Sequence, residues 1–215
     1  GFRPNLKEIT FPIIFQEAKG SHFTDFDGND YIDFTMGFGA NLFGHSPDFI
    51  QKPVLEQMQR GLCVGPQSAM AGPVAEKMAK ITGLERVAFL NSGTEAVMTA
   101  IRLARAGTKR EKIAIFDGSY HGHFDGVLAL AGSDGQGMPV APGVTRGTVS
   151  DVLVLEYGTA ESLELLRRHA HELAAVLVEP VQSRFPELQP REFLQELRAL
   201  TERSGTALIF DEVIT

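Results

Sequence analysis

The chain has 215 residues, which is enough for one sizeable hydrophobic core or two small ones. Its hydrophobic content of 43% and charged content of 22% are those of an ordinary soluble globular domain. The net charge of −7 argues against nonspecific binding to nucleic acid or to an anionic membrane surface. One cysteine, Cys63, excludes an intrachain disulfide framework, so a reducing cytoplasm fits the composition. We expect neither a membrane span nor a signal peptide, because no apolar run is long enough and no basic segment precedes one.

The first part of the chain predicts a short α+β segment. Residues 22–26 and 31–34 are strand-like runs separated by an Asp-Gly turn, which is a strong hairpin signal. Residues 35–46 are rich in glycine and aromatic side chains and are expected to form a loop. Residues 47–60 and 74–81 carry apolar side chains at helical spacing, so each predicts a helix.

From residue 87 onward, short apolar runs alternate with helical patterns. Predicted helices cover residues 161–171 and 191–204, and another follows the first apolar run to about residue 105. The predicted strands cover residues 87–90, 113–116, 152–155, 174–178 and 207–210. Uninterrupted apolar strands between helices predict an α/β fold with a mostly parallel sheet flanked by helices. Residues 132–148 are rich in Gly and Pro and are expected to form one long loop, either functional or disordered.

Ligands in such sheets bind at the carboxyl ends of the strands, so the residues that follow each strand are candidates for a site. The first strand leads into Ser92, Gly93 and Thr94, where a helix is expected to begin. The free N–H groups and the dipole of a helix start can bind a phosphate. An ordinary helix cap, with Ser92 or Thr94 as the capping residue, explains the same residues equally well.

A second candidate segment follows the predicted strand at 113–116. Tyr120 could stack on a flat ligand ring, and His121 and His123 lie beside it. A metal site is disfavoured, because no cysteine or third histidine lies nearby in the sequence. The alternative is a capped turn with a packed tyrosine.

The last two candidates are acids that directly follow wholly apolar strands. Glu179 follows the strand at 174–178, and Asp211 follows the strand at 207–210. Buried carboxylates are rare unless they are paired, so these positions predict either a functional site or an ion pair with a local arginine or helix end. For Asp211 we favour function.

Taken in order, these pieces resemble the sequence pattern of class III aminotransferases, which depend on pyridoxal phosphate (PLP) and have the type I fold. The resemblance covers nearly the whole chain and begins with its hairpin and the Gly-His pair after it. It rests on residues 25–33, 44–45, 91–96, 120–122, 179–182 and 211–215.

The resemblance implies a role for each candidate residue. Asp211 would face the ring nitrogen of PLP and keep it protonated, as a catalytic and cofactor-binding residue. Glu179 would be a second catalytic residue, near the ring oxygen. The remaining cofactor-binding positions would hold the phosphate or contact the ring, and they are Ser92, Gly93, Thr94, Tyr120, His121 and Val213.

Within that family the chain resembles glutamate-1-semialdehyde aminomutases and, more closely, aminotransferase domains of hybrid polyketide–peptide synthases, on residues 182–194. The second resemblance implies transfer of an amino group from an amino acid to a β-keto acyl thioester on an acyl carrier protein. Many relatives carry a Gly-Glu pair where this chain has Ser183-Arg184, so gating between two dicarboxylates is in doubt. A 2,1-aminomutase is the alternative enzyme, and a non-catalytic fragment or interaction module that keeps the fold is the alternative of another class.

The resemblance also implies how this chain relates to a whole enzyme. Residues 1–60 would form an N-terminal segment, and residues 61–215 would be part of the PLP-binding large domain. The family's PLP-binding lysine would lie beyond Thr215, since Lys109 and Lys112 do not match its motif. The intact enzyme is expected to be a cytoplasmic homodimer that uses an amino-acid donor and binds neither nucleic acid nor a membrane.

Overall fold

The computed structural model describes residues 12–62, 65 and 67–215. The described chain divides into two compact units, one ending at Glu85 and the other beginning at Arg86. The predicted domain boundary after residue 60 stays a prediction. Cys63 lies outside the described residues. No helix within the described ranges is long and apolar enough to cross a membrane.

The first unit contains a three-stranded antiparallel sheet in the order β1-β2-β3. Its strands are β1 (Phe15–Lys19), β2 (His22–Asp25) and β3 (Asp30–Ile32). Asp25 organises the turn between β2 and β3 by accepting hydrogen bonds from Asn29, Tyr31 and the amide of Asp27. The bond from the Asn29 side chain is the main reason why the pKa of Asp25 is lowered. The predicted hairpin is confirmed, with β1 as an additional strand.

The predicted loop after the hairpin is confirmed and is held by one carboxylate. Asp33 Oδ1 accepts the amides of Thr35 and Met36, and Asp33 Oδ2 lies 2.8 Å from His45 Nε2. The hydrogen bond from Met36, followed by the one from His45, lowers the pKa of Asp33. The loop therefore has a defined shape although it lacks regular secondary structure.

Both predicted helices of the first unit are present. They are α1 (Asp48–Arg60) and α2 (Ala71–Thr82), and Gly83 ends α2 in the left-handed conformation with φ 72°. Neither helix has a buried residue, and apolar side chains such as Phe49, Leu55 and Ile81 are exposed. The amphipathic pattern is thus formed, with its apolar side chains exposed.

The second unit is a parallel sheet with helices on both faces, as predicted. The elements in chain order are α3 (Gly93–Thr108), β4 (Lys112–Phe116), β5 (Ala129–Ala131), β6 (Gly137–Pro139), α4 (Arg146–Val149), β7 (Val152–Leu155), α5 (Ala160–His169), β8 (Leu173–Val178), α6 (Arg191–Ser204) and β9 (Ala207–Phe210). The main sheet has the order β7-β4-β8-β9, and every pairing in it is parallel.

Alternate residues of the central strands point to opposite faces of this sheet and build two cores. Phe116 packs with Leu166 of α5 and Leu197 of α6 on one face. Ile113 packs with Ile101 of α3 on the other face. All six residues of β8 are buried. Burying one such leucine or isoleucine side chain contributes about 1.5–3 kcal/mol, so these layers fix where the strands end.

Two predictions about this unit are wrong. Residues 87–90 do not form a strand, because no described strand lies beside them to share ladder hydrogen bonds, and Phe89 and Leu90 are exposed. The stretch 132–148 is not one loop, since it contains β6 and α4. Gly137 makes this possible, because a Cβ there would lie 2.7 Å from the carbonyl oxygen of Val149.

Candidate cofactor site

Four segments of the second unit meet at the carboxyl edge of the sheet. His121 bonds to Asp211, Tyr120 bonds to Glu179, and the amide of His123 donates to Thr94 Oγ1 at 3.1 Å. The fourth approach joins Gly93 to Val213, whose Cγ2 lies 3.7 Å from the Cβ position of residue 93. The four segments that carry the predicted catalytic and cofactor-binding residues are therefore brought together, although residues 87–90 form no strand.

The start of α3 has the features of both predicted alternatives, a helix cap and a phosphate site. Ser92 caps the helix, since its Oγ accepts the amide of Glu95 at 3.2 Å, and Glu95 Oε2 accepts the amide of Asn91 at 2.8 Å. Ser92 and Glu95 thus tie the start of the helix to the residue that precedes it. Among the described residues, the amides of Gly93 and Thr94 have no acceptor, so two donors at the positive end of the helix dipole are available to an anion.

Gly122 brings the aromatic segment against this helix start. Its φ of +84° is left-handed, and a Cβ at residue 122 would lie 2.3 Å from Thr94 Oγ1 and 3.0 Å from Thr94 Cα. Since Cβ atoms cannot approach that closely, only glycine fits without a shift of the backbone. The close approach is what allows the His123 amide to reach the Thr94 hydroxyl.

Tyr120 presents a ring that is held at both ends and half exposed. Its amide donates to Glu179 Oε2 at 2.9 Å, and its hydroxyl lies 2.9 Å from His123 Nε2. Tyr120 is 50% exposed, so it remains accessible to a flat ligand. Holding the tyrosine in advance lowers the entropic cost of stacking.

Asp211 and His121 form a buried pair. Asp211 Oδ2 lies 2.8 Å from His121 Nδ1, and the two side chains are 7% and 2% exposed. Asp211 Oδ1 accepts the amide of Val213 at 3.3 Å, and the Asp211 amide donates to the carbonyl oxygen of Val178. A neutral imidazole that donates from Nδ1 has an acceptor at Nε2, and His121 Nε2 is buried with no partner among the described residues.

Glu179 is buried, with 4% of its surface exposed, and both of its oxygens accept backbone amides. Oε2 accepts from Tyr120, and Oε1 accepts from Ser183 at 3.2 Å. Tyr157 lies close enough that burial, and then the charge of Glu179, raise the pKa of Tyr157 to about 12. The predicted catalytic role of Glu179 stays a prediction.

The two lysines considered in the sequence lie away from this edge. Lys112 begins β4, whereas the site lies beyond Phe116 at the other end of that strand, and Lys112 binds Glu172. Lys109 follows the last residue of α3, a helix of 16 residues whose first residue is Gly93. A helix of that length spans roughly 24 Å.

Three residues of the site were not assigned roles from the sequence. Gln182 is 2% exposed and donates from Nε2 to the carbonyl oxygen of Asp117 at 2.8 Å. Gly118 and Gly122 are the glycines on either side of Tyr120 whose close approaches shape the aromatic segment. The sequence signal for these glycines was their position on either side of a Tyr-His pair, because close backbone approach is a common reason for glycine in a loop.

The arrangement fits one kind of ligand. A buried carboxylate can accept from a protonated ring nitrogen, an exposed aromatic ring can stack, and two helix-start amides can bind a phosphate. PLP combines these three chemical features in one molecule. The donor set of the site therefore fits this cofactor.

Fold and site together define the class of the protein as the PLP-binding type I fold. The sequence matches the family described as "Aminotransferase class-III" over residues 5–215, and the chain belongs to that family. PLP is the cofactor of its members, and one similar solved structure is a "Transaminase with PLP bound", 34% identical with a TM-score of 0.88, covering 99% of this chain and 51% of that one.

Two other relatives indicate where in the family the chain lies. It is 41% identical over 208 residues to a glutamate-1-semialdehyde 2,1-aminomutase of Methanosphaera stadtmanae, covering 95% of this chain and 49% of that protein. A solved glutamate-1-semialdehyde aminomutase of Pseudomonas aeruginosa is 30% identical with a TM-score of 0.84, covering 94% of this chain and 45% of that one. The chain thus spans about half the length of its relatives. None of the three relatives gives support to a carrier-protein substrate.

Proposed function

We propose that this chain carries the PLP site of a class III enzyme that moves an amino group, and that its first candidate reaction is the 2,1-aminomutation of glutamate-1-semialdehyde. The observation that carries the proposal is the buried Asp211–His121 pair at the sheet edge that also holds Tyr120 and the open helix start. The similarity to aminomutases favours that reaction within the family.

Each residue has a task that its geometry supports. Asp211 would accept a hydrogen bond from the ring nitrogen and hold its proton, with His121 fixing the carboxylate in place. Tyr120 and Val213 would contact the ring. The amides of Gly93 and Thr94, with the Ser92 hydroxyl beside them, would bind the phosphate. When bound, PLP supplies a cationic ring that withdraws electrons as a bond at the amino-bearing carbon breaks.

A second candidate is an aminotransferase that delivers the amino group to a β-keto acyl carrier protein. Arg184, which stands where many relatives carry a glutamate, favours it, because a thioester has no free carboxylate to be clamped at that end. A solvated surface charge explains Arg184 as well. This candidate stays behind the aminomutase, since the relatives support the latter.

The test gives the full-length enzyme three substrates in separate reactions and follows the mass of each product. The substrates are glutamate-1-semialdehyde alone, a β-keto acyl carrier protein with an amino-acid donor, and a free keto acid with the same donor. Conversion of the semialdehyde without a donor is the expected result. Amination of the carrier-bound chain alone would make the second candidate correct, and reaction of the free keto acid alone would refute both.

We propose in addition that the full-length enzyme is a homodimer. The support is the exposed apolar face of α1 and α2, to which Phe49, Leu55 and Val74 contribute, because exposed faces of this kind are commonly covered by another chain. Sedimentation of the full-length enzyme measures the mass directly. A fully active monomer would contradict the proposal.

A further inference from the structure

The two oxygens of Glu179 hold two different loops. Oε2 accepts the amide of Tyr120, which is 59 residues away in sequence, and Oε1 accepts the amide of Ser183. At 4% exposure, the carboxylate cannot replace a lost amide partner by bulk water. Its placement therefore fixes where both amides lie.

Two more contacts join the same loops. Gln182 Nε2 donates to the carbonyl oxygen of Asp117 at 2.8 Å. A Cβ at Gly118 would lie 2.8 Å from Cε2 of Phe185, so the ring of Phe185 lies directly against the glycine. Residues 117–123 and 179–185 therefore dock as one layer, with the carboxylate of Glu179 at its buried end.

We infer that Glu179 is a positioning residue, which acts on the ligand through Tyr120 and couples the placement of that ring to the loop that carries Arg184. The inference rests on the proposed PLP site, because the ring of Tyr120 is assigned to the cofactor there. Glu179 itself needs no contact with cofactor or substrate for this role. A shift of the Ser183 loop is transmitted to the stacking ring through one buried carboxylate.

The substitution Glu179→Gln separates this role from simple space filling. Glutamine has nearly the same shape, but it offers one acceptor and one donor where glutamate offers two acceptors. One of the two amides must then face a donor in a buried position. We expect kcat/KM to fall about tenfold or more, the factor that corresponds to leaving a buried donor unpaired.

The matched control is Tyr157→Phe. The hydroxyl of Tyr157 donates to the carbonyl oxygen of Pro180 at 2.7 Å, so its removal deletes a hydrogen bond beside Glu179 and leaves both amide contacts of the carboxylate in place. A merely structural role for Glu179 predicts that both variants lower the melting temperature and change the site in the same way. A positioning role predicts that only Glu179→Gln changes the environment of the PLP ring.

The experiment compares the full-length parent, Glu179→Gln and Tyr157→Phe by hydrogen exchange without cofactor and by visible circular dichroism per bound PLP. We expect Glu179→Gln to speed exchange in the peptide of Tyr120, of Ser183 or of both and to weaken the dichroism, and Tyr157→Phe to leave the Tyr120 peptide and the dichroism unchanged. Unchanged exchange in both peptides, or unchanged dichroism per bound PLP, in Glu179→Gln would overturn the inference. A parent that binds no PLP would refute the proposed function, while the exchange data still decide whether Glu179 couples the loops.

Discussion

His121 Nδ1 and Asp211 Oδ2 lie 2.8 Å apart, although 90 residues separate them in the sequence. The parallel sheet brings them together, because His121 lies in the segment after β4 and Asp211 directly follows β9. Their side chains are almost fully buried, so the carboxylate has one fixed orientation. The predicted effects of the Asp211 and His121 substitutions on activity follow from this pair.

Asp211→Asn in the full-length enzyme is expected to lower turnover at least tenfold and to leave PLP bound. The helix-start amides still hold the phosphate, but the ring nitrogen loses a charge-assisted hydrogen bond of about 1.5–3 kcal/mol. Steady-state kinetics and the ratio of bound PLP to protein measure the two effects. Turnover within a factor of two of the parent would show that Asp211 does not serve the ring.

His121→Asn is expected to retain more activity than His121→Phe. The asparagine amide can still donate to Asp211 Oδ2, whereas phenylalanine leaves the buried carboxylate without that partner. We expect a difference in kcat/KM of about tenfold, from the 1–3 kcal/mol that an unpaired buried group costs. Equal activities in the two variants would mean that His121 acts through its shape alone.

Gly122→Ala is expected to unfold the site locally and to weaken PLP binding. The matched control is Gly28→Ala, because Gly28 has a φ of +83° against +84° for Gly122 but has no atom within 4 Å of its Cβ position. Both variants incur the left-handed backbone strain of about 1–2 kcal/mol, and Gly122→Ala adds the clash with Thr94. Melting temperature and PLP affinity are the measurements. Equal losses of stability in both variants would contradict the close approach.

Tyr157 is expected to ionise well above the usual pH range of a tyrosine side chain. Burial and the charge of Glu179 raise its folded pKa to about 12 from 10.0, so the neutral form is favoured by folding. The stability from this group is fully present below pH 10 and is lost as the pH rises towards about 12. A tyrosinate absorbance titration, with Tyr157→Phe as the reference, assigns the step. Loss of the lowest step in that variant would contradict the burial of Tyr157.

The sheet could be predicted from the sequence because strands buried on both faces appear as unbroken apolar runs, as at residues 174–178. Polar residues at the ends of such runs also predicted that Asp211 would lie at a ligand edge. Residues 87–90 are an apolar run that forms no strand, because such a run becomes a strand only where a partner strand supplies its hydrogen bonds. The short elements within 132–148 were hidden by Gly and Pro, whose usual association is with loops.

The contacts within the site were harder to predict than the residues that form it. The pairing of His121 with Asp211, and the two amides bound by Glu179, depend on long-range register that local patterns do not encode. The cap at Ser92 was predicted correctly as one of two alternatives. The structure accommodates both a helix cap and a phosphate site, since the cap uses the amide of Glu95 and leaves the amides of Gly93 and Thr94 open.

The role of Asp211 is tested most directly at the ring nitrogen itself. The full-length enzyme is loaded with PLP carrying nitrogen-15 in the ring, and the nitrogen chemical shift is recorded for the parent and for Asp211→Asn. We expect a protonated ring nitrogen in the parent, held by Asp211 and His121, and an unprotonated one in the variant. The same shift in both proteins would contradict the assignment of Asp211 and, with it, the proposed site.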